Sequence, residues 1–190
     1  MTADGSSQKC EAQKNADLVL QNQLSGEKIS HSAIRIRLGV AWDEAFCFYY
    51  RDNLEFLEKQ GVQIVRFSPV HDKHLPDDLD GLLLGGGYPE LYAKALGENE
   101  TIRNEIRRKA EEDMPILAEC GGYLYLLKEL KDENGTGYEM AGVFPGKATK
   151  KGKNSHFGYI TVQTERDSLY LKQARPSKAM NSINWESNPG

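Results

Sequence analysis

Up to residue 33 the chain is almost wholly polar. "MTADGSSQKCEAQKNADLVLQNQLSGEKISHSA" sets Ser, Gln, Asn and Lys around one short apolar patch, the composition of a linker or expression remnant rather than of a packed element. The pattern changes at Ile34. "IRIRLGVAW" alternates and then turns apolar, as a strand entering a buried sheet does, and "CFYYRDNLEFLEKQG" carries apolar residues at helical spacing up to a glycine stop. "VQIVRFSP" predicts a second strand, "LPDDLDGLLLGGG" a third after a polar loop, and "NETIRNEIRRKAEED" an exposed, charge-rich amphipathic helix. "MPILAEC" gives the next strand and "GYLYLLKEL" its helix. Past Glu129, "GYEMAGVFPGKATKKGK" and "SHFGYITVQTE" read as strands joined by Gly and Lys loops. The closing "PSKAMNSINWESNPG", residues 176–190, is polar and turn-rich and predicts no element. One domain over 34–175, between a polar linker and a polar tail, is the expected organisation.

Strands that alternate with helices imply parallel pairing with helices on both faces of the sheet. The predicted fold is therefore α/β: three layers around a mostly parallel sheet.

Composition narrows the partners. With 190 residues, 39% of them hydrophobic, the chain suits a single core of ordinary size, and 24 basic against 28 acidic residues leave a net charge of −4. That balance offers no footprint for nucleic acid or an anionic membrane. No apolar run reaches the roughly 18 residues of a membrane span, and the polar start lacks a signal core, so a cytoplasmic protein acting on small molecules or proteins is expected. Three cysteines, Cys10, Cys47 and Cys120, are odd in number and lack CxxC spacing, which argues against disulfides and zinc.

In an open parallel sheet ligands bind beyond the carboxyl ends of the strands. Two stretches fall there. "GLLLGGGYPE" ends a strand in Gly85, Gly86 and Gly87, where missing Cβ atoms let backbone N–H groups approach an oxygen. "ILAECGGYLYL" ends another at Cys120, with Gly121 and Gly122 opening the helix behind it. A nucleophile on a strained strand-to-helix corner needs such small neighbours, and the helix terminus favours a thiolate there. Cys120 is thus the candidate nucleophile. The N–H of Gly121, with one from the Gly86–Gly87 turn, is the candidate oxyanion site.

Each signal has a plainer reading. Free cysteine is often simply buried, and glycine pairs often just start helices; what favours chemistry is two independent features converging on one sheet edge. The triple glycine does not make a phosphate loop, because no Lys follows at that motif's spacing. Cys47, among Phe46, Phe48, Tyr49 and Tyr50, reads as core packing or a pocket wall, and Cys10 as a tail thiol. His71 and His74 flank a loop with Asp72, Asp77 and Asp78, where solvated histidines outweigh a metal site. No metal is expected.

Taken together, "DEAFCFYYRDNLEFLEKQG", "FSPVHDKHLPDDLDGLLLGGGYPELYA" and "MPILAECGGYLYL" closely resemble the glutamine amidotransferase domain of cobyrinic acid a,c-diamide synthase, over about Ile34 to Glu165. The cobyric acid synthase family is less similar at the glycine turn. The amidotransferase half of nickel-sirohydrochlorin a,c-diamide synthase shares the pattern, and the sequence does not separate it. The resemblance implies a flavodoxin-like, class I (triad-type) domain whose cysteine, matched by Cys120, releases ammonia from glutamine through a glutamyl thioester. It implies no cofactor in this domain. ATP and magnesium belong to a synthetase domain, normally on the same chain, that amidates the a and c carboxylates of a tetrapyrrole and is expected to precede this segment.

One departure bears on activity. The family's histidine lies in a "GHEF"-like segment downstream of the cysteine, and this chain carries none, as though it stopped short of it. His156 is the one histidine after Cys120 and precedes "FGY", where the family places no base, so a strand or surface histidine is the competing reading. A glutamine-binding or docking module without a base, and a different thiol enzyme on a similar cysteine elbow, are the rival functions.

Overall fold

The computed structural model describes residues 36–150, 156–163, 167, 177–183 and 185–188. β1 (Arg37–Ala41), β2 (Gln63–Phe67), β3 (Gly81–Leu84) and β4 (Ile116–Ala118) form an all-parallel sheet in the order β2-β1-β3-β4. The register sets Leu38–Val40 beside Gly81–Leu83, and Leu82–Leu84 beside Ile116–Ala118, so β1, β3 and β4 end at one edge. Burial deepens toward that edge: Val40, Ala41 and Leu84 are fully enclosed.

Helices cross between these strands. α1 (Arg51–Lys59) joins β1 to β2, whereas α2 (Ala93–Glu98) and α3 (Glu100–Glu111) lie between β3 and β4. Since the two crossovers run outward in opposite directions, right-handed connection puts them on opposite faces, the three layers expected. The order reverses between β1 and β3, and the loops that follow these two strands meet there: the Phe48 N–H donates to Gly86 O and the Tyr88 N–H to Ala45 O, each at 3.0 Å. α1 ends in a paired glycine cap: the Gly61 N–H (φ 90°) donates to Glu58 O at 3.0 Å and the Val62 N–H to Leu57 O at 3.1 Å. α3 buries Ile102 and Ile106, four residues apart, each contributing on the order of 1.5–3 kcal/mol.

A second, mixed sheet follows in the order β10-β7-β5-β6, with β5 (Leu127–Lys131), β6 (Gly137–Glu139), β7 (Phe144–Lys150) and β10 (Trp185–Asn188). β5 and β7 are parallel and the other pairs antiparallel. β8 (His156–Val162) and β9 (Ser177–Ile183) make an antiparallel ribbon. Two arginines of α3 join the first layer to this region. Arg103, 3% exposed, donates from Nη1 to Met140 O at 3.0 Å, and Arg107 donates from Nε to Ala141 O at 2.7 Å.

The structure corrects four expectations. The helix predicted from Cys47 begins at Arg51, because residues 43–50 are held as a loop by bonds within it and to the loops after β2 and β3: Asp43 Oδ1 takes the N–H groups of Ala45 and Phe46, its Oδ2 takes Ser68 Oγ and the Val70 N–H, and the Phe48 N–H reaches Gly86 O. "GYLYLLKEL" is helical only through α4 (Gly121–Leu126). β5 then takes over, since pairing with β6 and β7 satisfies its backbone while Leu127 and Leu130 stay buried. A 3₁₀ turn at Pro89–Tyr92 and α2 fill a stretch where no element was predicted. The polar 176–190 segment carries β9 and β10, which pair antiparallel with β8 and β7 respectively. Residues 1–33, with Cys10, lie outside the described residues. Among the described residues no helix is long and apolar enough to cross a membrane.

Candidate functional site

Cys120 sits between β4 and α4 with φ 50° and ψ −110°, a backbone conformation that a side-chain-bearing residue adopts only under constraint. The constraints are visible around it. The Glu119 N–H donates to Leu84 O, and the Gly122 N–H is shared between Gly85 O and Glu119 O, each at 2.9 Å. The two glycines after the cysteine are required by close approach. A Cβ on Gly122 would run into the Leu84 carbonyl, and one on Gly121 would stand 2.8 Å from Pro89 Cδ and 3.2 Å from the Gly87 nitrogen. The "CGG" of the sequence is what lets a helix start against a neighbouring turn.

The predicted residues meet here. A Cβ on Gly86 would lie 3.6 Å from Cys120 Cβ, and the Gly87 nitrogen neighbours Gly121, so Cys120, Gly86, Gly87 and Gly121 share one mouth at the carboxyl edge. The Gly87 N–H donates to no partner among the described residues, whereas the Gly121 N–H approaches the cysteine's own sulfur. Phe48 and Tyr88, both exposed, stand edge to face at 5.1 Å beside the glycine turn.

The thiol's electrostatics depart from expectation. Cys120 is exposed as a residue, but its sulfur is half-buried. Burial pushes the thiol pKa up, the Gly121 N–H opposes this, and the carboxylates of Glu90 and Glu119 push it up further. The net direction is upward, because burial outweighs the one N–H and the two acidic groups add to it. The thiolate expected from a helix terminus is therefore not favoured by this surrounding alone. Glu90, nine-tenths buried in the Pro89–Tyr92 turn, is itself raised by burial.

Other predicted groups fall elsewhere. Cys47 is exposed, which rules out core packing, one of the two roles expected of it, because the loop after β1 turns it outward. His71 Nε2 lies 2.7 Å from Glu44 Oε1 and His74 Nδ1 2.7 Å from Glu105 Oε1. Among the described residues no cluster of three His, Cys, Asp or Glu side chains converges as metal ligands would. His156 opens β8, its backbone opposite Ile183. Sequence reasoning missed Tyr49. Its hydroxyl donates to Ala41 O and accepts the Gly85 N–H at 2.8 Å, fastening the ends of β1 and β3; an aromatic within an apparent helix gave no sign of it.

Known proteins are similar to this chain in fold and in sequence. A solved PurLQS from Thermotoga maritima superposes with a TM-score of 0.52 at 18% identity, over 80% of this chain and 68% of that one. A solved GMP synthase protein from Thermoplasma acidophilum gives 0.53 at 16%, over 82% and 68%. These establish a shared fold. The cobyrinate a,c-diamide synthase of Caldanaerobacter subterraneus subsp. tengcongensis is 40% identical over 144 residues, 76% of this chain and 32% of that protein. That of Syntrophotalea carbinolica is 48% identical over 128 residues, 67% and 28%. The chain thus spans about 30% of the length of these curated relatives. The family model of the CobB/CobQ-like glutamine amidotransferase domain matches residues 37–173. With that match covering most of the chain, and with a strained cysteine set against a glycine turn at the edge of a parallel sheet, the chain belongs to the CobB/CobQ-like glutamine amidotransferase family.

Proposed function

We propose that this chain is the glutaminase part of a cobyrinate a,c-diamide synthase. The observation that carries the reading is the backbone of Cys120, held at φ 50° beside the N–H groups of Gly121 and Gly87. The sulfur attacks the side-chain amide carbon of glutamine, the carbonyl oxygen becomes an oxyanion, and those N–H groups receive its charge. The C–N bond then breaks and ammonia departs with the proton it needs. Water hydrolyses the glutamyl thioester, so that glutamine plus water yields glutamate plus ammonia.

Ammonia would pass to a synthetase domain, in which ATP and magnesium would activate the a and c carboxylates of the tetrapyrrole. No step in this chain runs through either. Because burial and two carboxylates favour the neutral form of the Cys120 thiol, a base must remove its proton before it can attack. That observation favours a second reading, a module that binds glutamine or docks to a synthetase without turning over.

Glutamine and its diazo ketone analogue 6-diazo-5-oxo-L-norleucine separate the two. Glutamate release, or a covalent adduct mapped to Cys120 and lost in Cys120→Ala, is the result expected. Neither product appearing would leave the docking module.

A further inference from the structure

The β1–β3 ladder ends at the pair Val40–Leu83, one residue short of Ala41 on β1 and two short of Gly85 beyond β3. A side chain takes over there. Tyr49 Oη donates to the Ala41 carbonyl and accepts the Gly85 N–H at 2.8 Å, so one hydroxyl spans the gap that the ladder leaves open. The Phe48 N–H adds a bond to Gly86 O at 3.0 Å. The ring is fixed in turn: it stacks on Trp42 at 5.0 Å with planes 10° apart, and the Arg66 guanidinium lies 3.9 Å over the Trp42 ring. A Cβ on Gly85 would be 2.5 Å from the Tyr49 ring, so glycine and tyrosine are fitted to one another.

Gly85 begins the turn whose next two residues face Cys120 and Gly121. We propose that Tyr49 is a positioning residue for the oxyanion site, holding the Gly85–Gly87 turn at the height where the Gly87 N–H meets a tetrahedral intermediate formed on Cys120. The inference rests on the glutaminase reading of this mouth. Burial, with smaller contributions from Asp43, Glu119 and Cys47, outweighs the Gly85 N–H and pushes the Tyr49 hydroxyl up to about 12; it stays protonated and keeps donating to Ala41 at neutral pH.

Tyr49→Phe keeps the stacked ring and removes only the hydroxyl. Two reactions at Cys120, each followed by peptide mass mapping in the full chain, distinguish positioning from general support. With p-nitrophenyl acetate the sulfur bonds the acyl carbon, p-nitrophenolate leaves and the thiol proton passes to water, through an oxyanion that needs its donors. Iodoacetamide alkylates by displacement of iodide at a saturated carbon, where that site has no part. The expected result is acylation slowed about 10- to 100-fold, less than the roughly 100- to 1,000-fold that loss of one oxyanion donor costs because the donor is displaced and not removed, and alkylation changed less than about twofold. Equal slowing of both reactions, or no change in either, overturns the proposal. So does a parent chain whose acylation-to-alkylation ratio at Cys120 is no higher than at exposed Cys47. Glutamine takes no part in this comparison, so failure of the glutaminase reading, seen as absent glutamate and absent diazo ketone adduct, is read separately.

Discussion

The Gly122 N–H donates to the Gly85 carbonyl at 2.9 Å, so the helix behind the cysteine is fastened to the glycine turn that ends the neighbouring strand. This bond crosses two loops and fixes the sulfur relative to the turn's N–H groups. It exists because Gly122 has no Cβ to strike Leu84. Gly122→Ala forces that contact with backbone, which has nowhere to yield. A loss of about 3 kcal/mol is expected, read as a lowered denaturation midpoint, together with loss of adduct formation at Cys120.

Glu90 and Glu119 both hold the Cys120 thiol in its neutral form. Removing the Glu90 charge should therefore lower the thiol pKa. In Glu90→Gln the pH midpoint of iodoacetamide alkylation at Cys120 is expected to move to lower pH, while Lys94→Gln, an exposed charge on α2, leaves it in place. An unmoved midpoint in Glu90→Gln would show that the Glu90 carboxylate has no part in the thiol's ionisation.

The Glu105 carboxyl ties α3 to the loop after β2. Burial pushes its pKa up, but hydrogen bonds from His74 and from the Leu75 N–H, both at 2.7 Å, outweigh this and hold it below the usual 4.5. A carboxyl whose folded pKa is depressed adds stability that is complete above 4.5 and is lost as pH falls through the lowered value. Glu105→Gln is thus expected to cost about 1 kcal/mol at neutral pH, with the gap to the parent narrowing on acidification below 4.5, by urea denaturation across that range.

Arg103 carries a charge into the core to reach the Met140 carbonyl, with Glu139 Oε2 at 3.7 Å. Arg103→Met keeps much of the apolar stem and leaves that carbonyl unpaired. A destabilisation of about 2 kcal/mol is expected, measured by thermal unfolding. If the loss is instead negligible, desolvating the guanidinium costs as much as its bond returns.

The corner that carries the candidate nucleophile was legible because its geometry is local. A cysteine followed by two glycines after a short apolar strand has few ways to fold, and Gly85–Gly87 announces a turn where side chains are excluded. Tyr49 and Glu90 were not legible, since their roles depend on strands and turns remote in the chain: an oxygen between β1 and β3, and a carboxylate brought against a sulfur thirty residues away.

By itself the sequence determined the parallel sheet, its first four strands and the corner that presents Cys120, because apolar runs and obligatory glycines encode burial and turn geometry over a few residues. Only the tertiary structure decided where α4 gives way to β5, that the polar segment after 176 pairs as strands, and that the thiol is pushed toward its neutral form. Strand pairing and ionisation depend on which backbone and which charges lie alongside, and those neighbours are assigned by the fold rather than by adjacent residues.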